Sequence, residues 1–321
     1  MSTLALRRQT PPAIYEDVSV PLTREFRLQS GDTLEDGVVR VRLFGARNAP
    51  QLIALGGISA GREVLGENGW WSEVLEPAVD LQRFGVIGFD FAPIRDVRVR
   101  ISPDDQARII LHALDRLDVT RVQAFLGASY GGMIGLALAA LAPERIARLC
   151  VISAAHRPAA QALGWRGVQR RIVEFALAHG EGAAGLSLAR QLAMITYRSA
   201  EELETRFGSG VDEEGLGALD RYLIARGDAY IDTVSPRRWL SLSASIDRFS
   251  IDPAAVTVPT TLIACPTDQL VPFALIEEMS QRLPRLQALH AVPSLYGHDA
   301  FLKEATTIAS LLRGLIESSL S

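Results

Sequence analysis

The sequence predicts an α/β architecture in which a mostly parallel sheet carries helices on both faces and is interrupted once by a helical insertion. Three observations point to it. Short apolar runs of strand length alternate with segments of helical periodicity across the first half of the chain. The alternation stops between 158 and 245, where Arg-, Glu- and Ala-rich stretches are broken at Gly180, Gly208, Gly210 and Pro236 and show no strand pattern. It then resumes towards the C-terminus. The expected organisation is a core in two pieces, 1–157 and 246–321, around a helical lid at 158–245.

Taken in order, a polar start gives way to Gln51 to Leu55, an apolar run ending in Gly56-Gly57, and then to Phe84 to Phe89, which leads into Asp90. Each reads as a buried strand followed by a loop. Pro103 to Leu117 places Ala107, Ile110, Leu111, Leu114 and Leu117 at helical spacing behind Ser102 as a cap. Val122 to Leu126 is a further strand, Gly131 to Ala142 an apolar helix stopped by Pro143, and Ile146 to Ser153 another strand. Past the insertion come a strand at Thr260 to Ala264, a helix at Ala274 to Leu283, a strand at Leu286 to Val292 and a helix from Ala300 to about Glu317.

The 321 residues are 48% apolar and 22% charged with a net charge of −4, which suits one enzyme-sized globular unit and offers no basic surface for nucleic acid. Nothing resembles a signal peptide, and no window approaches the roughly 20 apolar residues of a membrane span, so a cytoplasmic protein is expected. Cys150 and Cys265 lie in apolar runs as buried thiols. Lys303 is the only lysine, which removes Schiff-base and phosphate-loop chemistry. No metal site or cofactor is expected.

Gly127-Ala128-Ser129-Tyr130-Gly131 matches Gly-x-Ser-x-Gly between a strand and a helix, the context of a nucleophile elbow. A serine hydroxyl needs a base, most often a histidine oriented by a carboxylate. In the α/β-hydrolase fold the order is Ser, acid, His, so His112 comes too early, while His156 and His179 precede any late strand-end acid and His290 lies inside a strand. His298 remains, after the final strand. Asp268 follows the strand at Thr260 to Ala264, with Asp247 and Asp252 as competitors that follow no strand. The oxyanion hole is assigned by position to the backbone N–H groups of Tyr130 and Ile58.

Together these residues resemble the MetX-type homoserine O-acyltransferases of the α/β-hydrolase superfamily. The resemblance runs from about Phe26 to Glu304 and rests on the elbow Gly127 to Met133, on Ala193 to Ser199 with Phe207, on Tyr296 to Leu302 with Glu304, and on Gly69-Trp70-Trp71. It departs at Ala128, at the bulkier Tyr130 and in the short segment Phe91 to Ile101. It implies a ping-pong transfer from an acyl-CoA co-substrate to L-homoserine in methionine biosynthesis, with Arg198 on the acceptor carboxylate, Asp299 on its ammonium, and a possible homodimer. Of the two donors, acetyl-CoA and succinyl-CoA, the succinyl donor is favoured. Arg62, directly after the loop Gly57 to Gly61, is a cation that would suit a succinyl carboxylate. The alternatives are a serine hydrolase using the same triad, transfer to a related amino acid such as serine, and a catalytically dead binding module.

Overall fold

Five-residue apolar strands buried on both faces demand helices above and below them. The computed structural model, which describes residues 15–23, 26–34, 37–93, 98–213 and 215–318, supplies both layers. Eight strands form one sheet: β1 (Tyr15–Pro21), β2 (Val38–Phe44), β3 (Gln51–Leu55), β4 (Gly85–Phe89), β5 (Ala124–Ala128), β6 (Leu149–Ile152), β7 (Thr260–Ala264) and β8 (Leu286–Ala291). Their spatial order is β1-β2-β4-β3-β5-β6-β7-β8. The pairings of β2 with β1 and with β4 are antiparallel, and from β4 to β8 every pairing is parallel.

Before the sixth strand the chain forms α1 (Ser72–Ala78), α2 (Pro103–Arg116) and α3 (Tyr130–Leu141). Five helices stand between β6 and β7: α4 (Ala160–Ala178), α5 (Gly182–Tyr197), α6 (Ala200–Phe207), α7 (Ala218–Ile231) and α8 (Pro236–Asp247). The C-terminal part adds α9 (Phe273–Ser280), α10 (Ala300–Lys303) and α11 (Ala305–Glu317). Side-chain alternation divides the interior. Ile53, Leu55 and Phe125 pack with α2, α3 and α9 on one face, while Leu52, Ala54 and Leu126 pack with α1 and α11 on the other. A third cluster, Val173, Leu186, Ala189, Tyr230 and Trp239, lies within the helices between β6 and β7, and Ile58 packs against both it and the first cluster.

The first helix cap is as expected and better. Ser102 accepts from the Asp105 N–H while Asp105 accepts from the Ser102 N–H, a reciprocal box that opens α2. Two expectations change. The start of the chain contributes β1 and β2 as well as polar sequence. Between β3 and β4, where the sequence pattern marks no element, α1 forms despite Pro77. The helix expected from Ala300 to Glu317 is two helices, because the Phe301 carbonyl that a continuous helix would offer to Ala305 accepts the indole N–H of Trp71 at 3.1 Å instead. Cys150 and Cys265 are free and buried, and burial pushes the Cys150 thiol up to about 12. Among the described residues no helix is long and apolar enough to cross a membrane. Residues 94–97 of the segment Phe91 to Ile101 lie outside the described residues.

Candidate active site

Sharp reversal from β5 into α3 sets Ser129 at φ 53°, ψ −119°, a left-handed conformation that a side-chain-bearing residue holds only under tertiary constraint. The constraint is visible. Ser129 N–H donates to Ile152 O at 2.8 Å and Gly131 N–H to Gly56 O at 2.9 Å, which ties the turn to the strand on one side and the loop on the other. A Cβ on Gly127 would stand 2.5 Å from Gly131 O, and one on Gly131 would stand 2.5 Å from Leu55 O, so neither position has room for alanine.

The structure brings Ser129, His298 and Asp268 into one line. His298 Nε2 is 2.8 Å from Ser129 Oγ, and His298 Nδ1 is 2.7 Å from Asp268 Oδ2. Because a carboxylate only accepts, Nδ1 carries the proton and Nε2 is left to accept from the serine hydroxyl. Asp268 is held by its other oxygen, which accepts from the Leu270 N–H at 2.9 Å and the Val271 N–H at 3.0 Å in the turn after β7. His298 occupies a tight turn after β8, where Gly297 has φ 55° and a Cβ would come within 2.7 Å of Tyr197 O. Burial opposes charge on the imidazole, but the Asp268 and Asp299 carboxylates together outweigh it and the net shift of His298 is upward. The competitors are engaged elsewhere: Asp247 pairs with Arg166 and Arg170, and Asp252 with Arg282.

Ser129 and His298 open onto a cavity of about 230 Å³, walled by Gly57, Ile58 and Ser59 from the loop after β3 and roofed by α4, α5 and α8. Gly57 faces the serine directly, with Ser129 Oγ 4.0 Å from where its Cβ would be. The N–H groups of Ile58 and Tyr130 donate to no protein acceptor among the described residues, which leaves both for an oxyanion. The Tyr130 side chain points the other way, its hydroxyl 2.7 Å from Ser245 Oγ and its ring edge-on to Phe91, so its bulk takes no space from the cavity.

Asp299 lines the cavity, and burial raises its pKa against the opposing pull of Arg198. Arg198 stands behind it rather than in the wall. Its Nε is 3.1 Å from Asp299 Oδ2 but out of line for a hydrogen bond, and its Nη1 is 3.5 Å from Glu202. Arg62 is a correction. Its guanidinium is held by Asp90 at 2.7 Å and Asp17 at 3.2 Å, two carboxylates that satisfy it outside the cavity, so no donor group can use it there. Sequence reasoning missed the roof: Arg166 and Gln169 of α4, Arg190 of α5, and Trp239 and Ser243 of α8. Helical spacing, as in Arg190, Ala193 and Tyr197, was the available signal, but it does not say which face turns towards the serine.

Fold and site define an α/β architecture in which a hydrogen-bonded Ser129–His298–Asp268 array opens on a cavity lined by Asp299 and three arginines. Residues 52–305 match the family model described as alpha/beta hydrolase fold. The chain is 35% identical to the homoserine O-succinyltransferase of Xanthomonas campestris pv. campestris over 97% of its own length and 86% of that protein. It is 29% identical to the homoserine O-acetyltransferase of Geotalea uraniireducens, covering 95% of this chain and 97% of the other. Among solved structures, homoserine O-acetyltransferase from Bacillus anthracis superposes with a TM-score of 0.84 at 16% identity, covering 94% of this chain and 98% of that one. Esterase E22 gives 0.85 at 15% identity, covering 94% and 100%, so the shared architecture extends to hydrolases. The chain belongs to the homoserine O-acyltransferase family within the α/β-hydrolase fold.

Proposed function

We propose that the protein transfers an acyl group from a CoA thioester to the hydroxyl of homoserine through an ester on Ser129. Ser129 Oγ attacks the thioester carbonyl as His298 Nε2 takes its proton; the thiolate of CoA leaves and recovers that proton. The homoserine hydroxyl then attacks the Ser129 ester, giving its proton to His298, which returns it to Ser129 Oγ. In both halves the backbone N–H groups of Ile58 and Tyr130 receive the oxyanion. Asp299 takes the acceptor's ammonium. Arg198, which stands behind Asp299 with its Nε 3.1 Å from Oδ2, would reach the carboxylate on the same carbon by turning past Asp299 into the cavity.

The observation that carries this reading is the 35% identity to a homoserine O-succinyltransferase along nearly the whole chain, together with a hydrogen-bonded Ser129–His298–Asp268 array opening on a cavity that Asp299 lines. Mass spectrometry tests it. Wild-type protein given acetyl-CoA or succinyl-CoA should acquire an acyl adduct and pass it to homoserine in preference to serine, while Ser129→Ala should acquire none. Water preferred over every amino-acid acceptor would make the protein a hydrolase.

A further inference from the structure

Three arginines line the cavity, and two of them already have carboxylates. Arg157 Nη2 is 2.8 Å from Glu278, and Arg166 Nε is 2.6 Å from Asp247. Arg190 has no carboxylate within ion-pair distance among the described residues. Its guanidinium lies over the ring of Tyr230, 4.5 Å from the centroid, and 5.4 Å from that of Tyr197. Both rings are themselves anchored to the reaction centre. The Tyr230 hydroxyl is 2.9 Å from Ser59 Oγ, next to Ile58, and the Tyr197 ring is 5.9 Å from the His298 ring. A planar cation stacked on two fixed rings keeps its in-plane N–H donors for a planar anion. Met133, Trp239, Ile246 and Leu270 make part of the same cavity wall apolar.

We propose that Arg190 binds the terminal carboxylate of a dicarboxylic acyl donor and so selects a succinyl over an acetyl group; the proposal rests on the acyl-transfer reading above. The acceptor's two charges are assigned to Asp299 and Arg198, which leaves Arg190 as the cavity arginine outside any ion pair among the described residues. Arg190 thus takes the task that Arg62 cannot perform.

The test is the rate of Ser129 acylation, followed by rapid-quench intact-protein mass spectrometry with acetyl-CoA, succinyl-CoA and the neutral succinamoyl-CoA. In Arg190→Gln the succinyl-to-acetyl ratio of second-order rate constants should fall about tenfold to a hundredfold, as expected for one charge-assisted contact. Arg190→Lys should retain part of the preference. In wild type, replacing the donor's carboxylate by its amide should cost a similar factor, a comparison that needs no variant to fold. In Arg190→Gln that replacement should cost little. An unchanged ratio in the variants, or a raised KM for homoserine with donor preference intact, overturns the proposal and assigns Arg190 elsewhere. Wild type that takes up neither acyl group overturns the transferase reading, and this one with it.

Discussion

At the scale of single residues, the chemistry depends on His298 being neutral and correctly tautomeric. An imidazolium cannot accept the Ser129 proton, and Asp268 raises the His298 pKa above its ordinary 6.5 in spite of burial. The acid limb of kcat/KM should therefore lie above 6.5, with activity lost as pH falls through it. In Asp268→Asn the larger raising charge is gone and only that of Asp299 still opposes burial, so that limb should move down in pH while the plateau drops roughly a thousandfold or more. A pH profile of both proteins checks it, and a limb that stays in place would mean that another group titrates. These three residues were legible from sequence because motif, chain order and strand ends constrain them. The state of Arg62 was not, since its partners Asp17 and Asp90 are 45 and 28 residues away and meet it only through sheet pairing.

At the scale of elements, the elbow depends on two backbones passing closely enough to exclude a methyl group. Gly127→Ala would force a Cβ against the Gly131 carbonyl, so α3 must shift and carry Ser129 away from His298. A loss of about 1–3 kcal/mol in stability is expected, together with slowed acylation. Chemical denaturation and adduct formation measure the two, and a variant as stable and as fast as wild type would contradict the packing described. The inner strands were legible because continuous apolar runs are the mark of strands buried on both faces. β1 was not: most of Tyr15–Pro21 is exposed, and its place is set by antiparallel pairing with β2, which single-chain periodicity does not reveal. The alternation Val39, Val41 and Leu43 against Arg40 and Arg42 was a usable sign of β2.

For the whole molecule, the seam between the sheet and the helices above it is held by buried and half-buried polar contacts. Tyr130 meets Ser245, Ser59 meets Tyr230, Arg238 donates to the Phe91 carbonyl, and Gln269 donates to that of Arg198. Tyr130 and Ser245 are 1% and 0% exposed, so Tyr130→Phe would strand a hydroxyl where water does not reach. The variant should lose about 1–2 kcal/mol, and adding Ser245→Ala should restore part of that by removing the orphan. Thermal unfolding of the single and double variants measures the coupling; strictly additive losses would show that the contact is not made. The helical segment as a block was legible from its missing strand pattern, but the seam joins residues up to 171 positions apart, which no local reading can bring together.

Stacked indoles at the cavity rim give the protein an optical property as well. Trp70 and Trp239 line the cavity, and Trp70 lies against Trp71 at 5.0 Å with 13° between the rings. Half of the four tryptophans thus border the space an acyl group would fill. Emission should change when that space is occupied, and the coupled pair should give a near-ultraviolet dichroic band that reports the packing of Trp71 against Phe301. Loading and unloading of the serine can then be followed in real time in unlabelled protein.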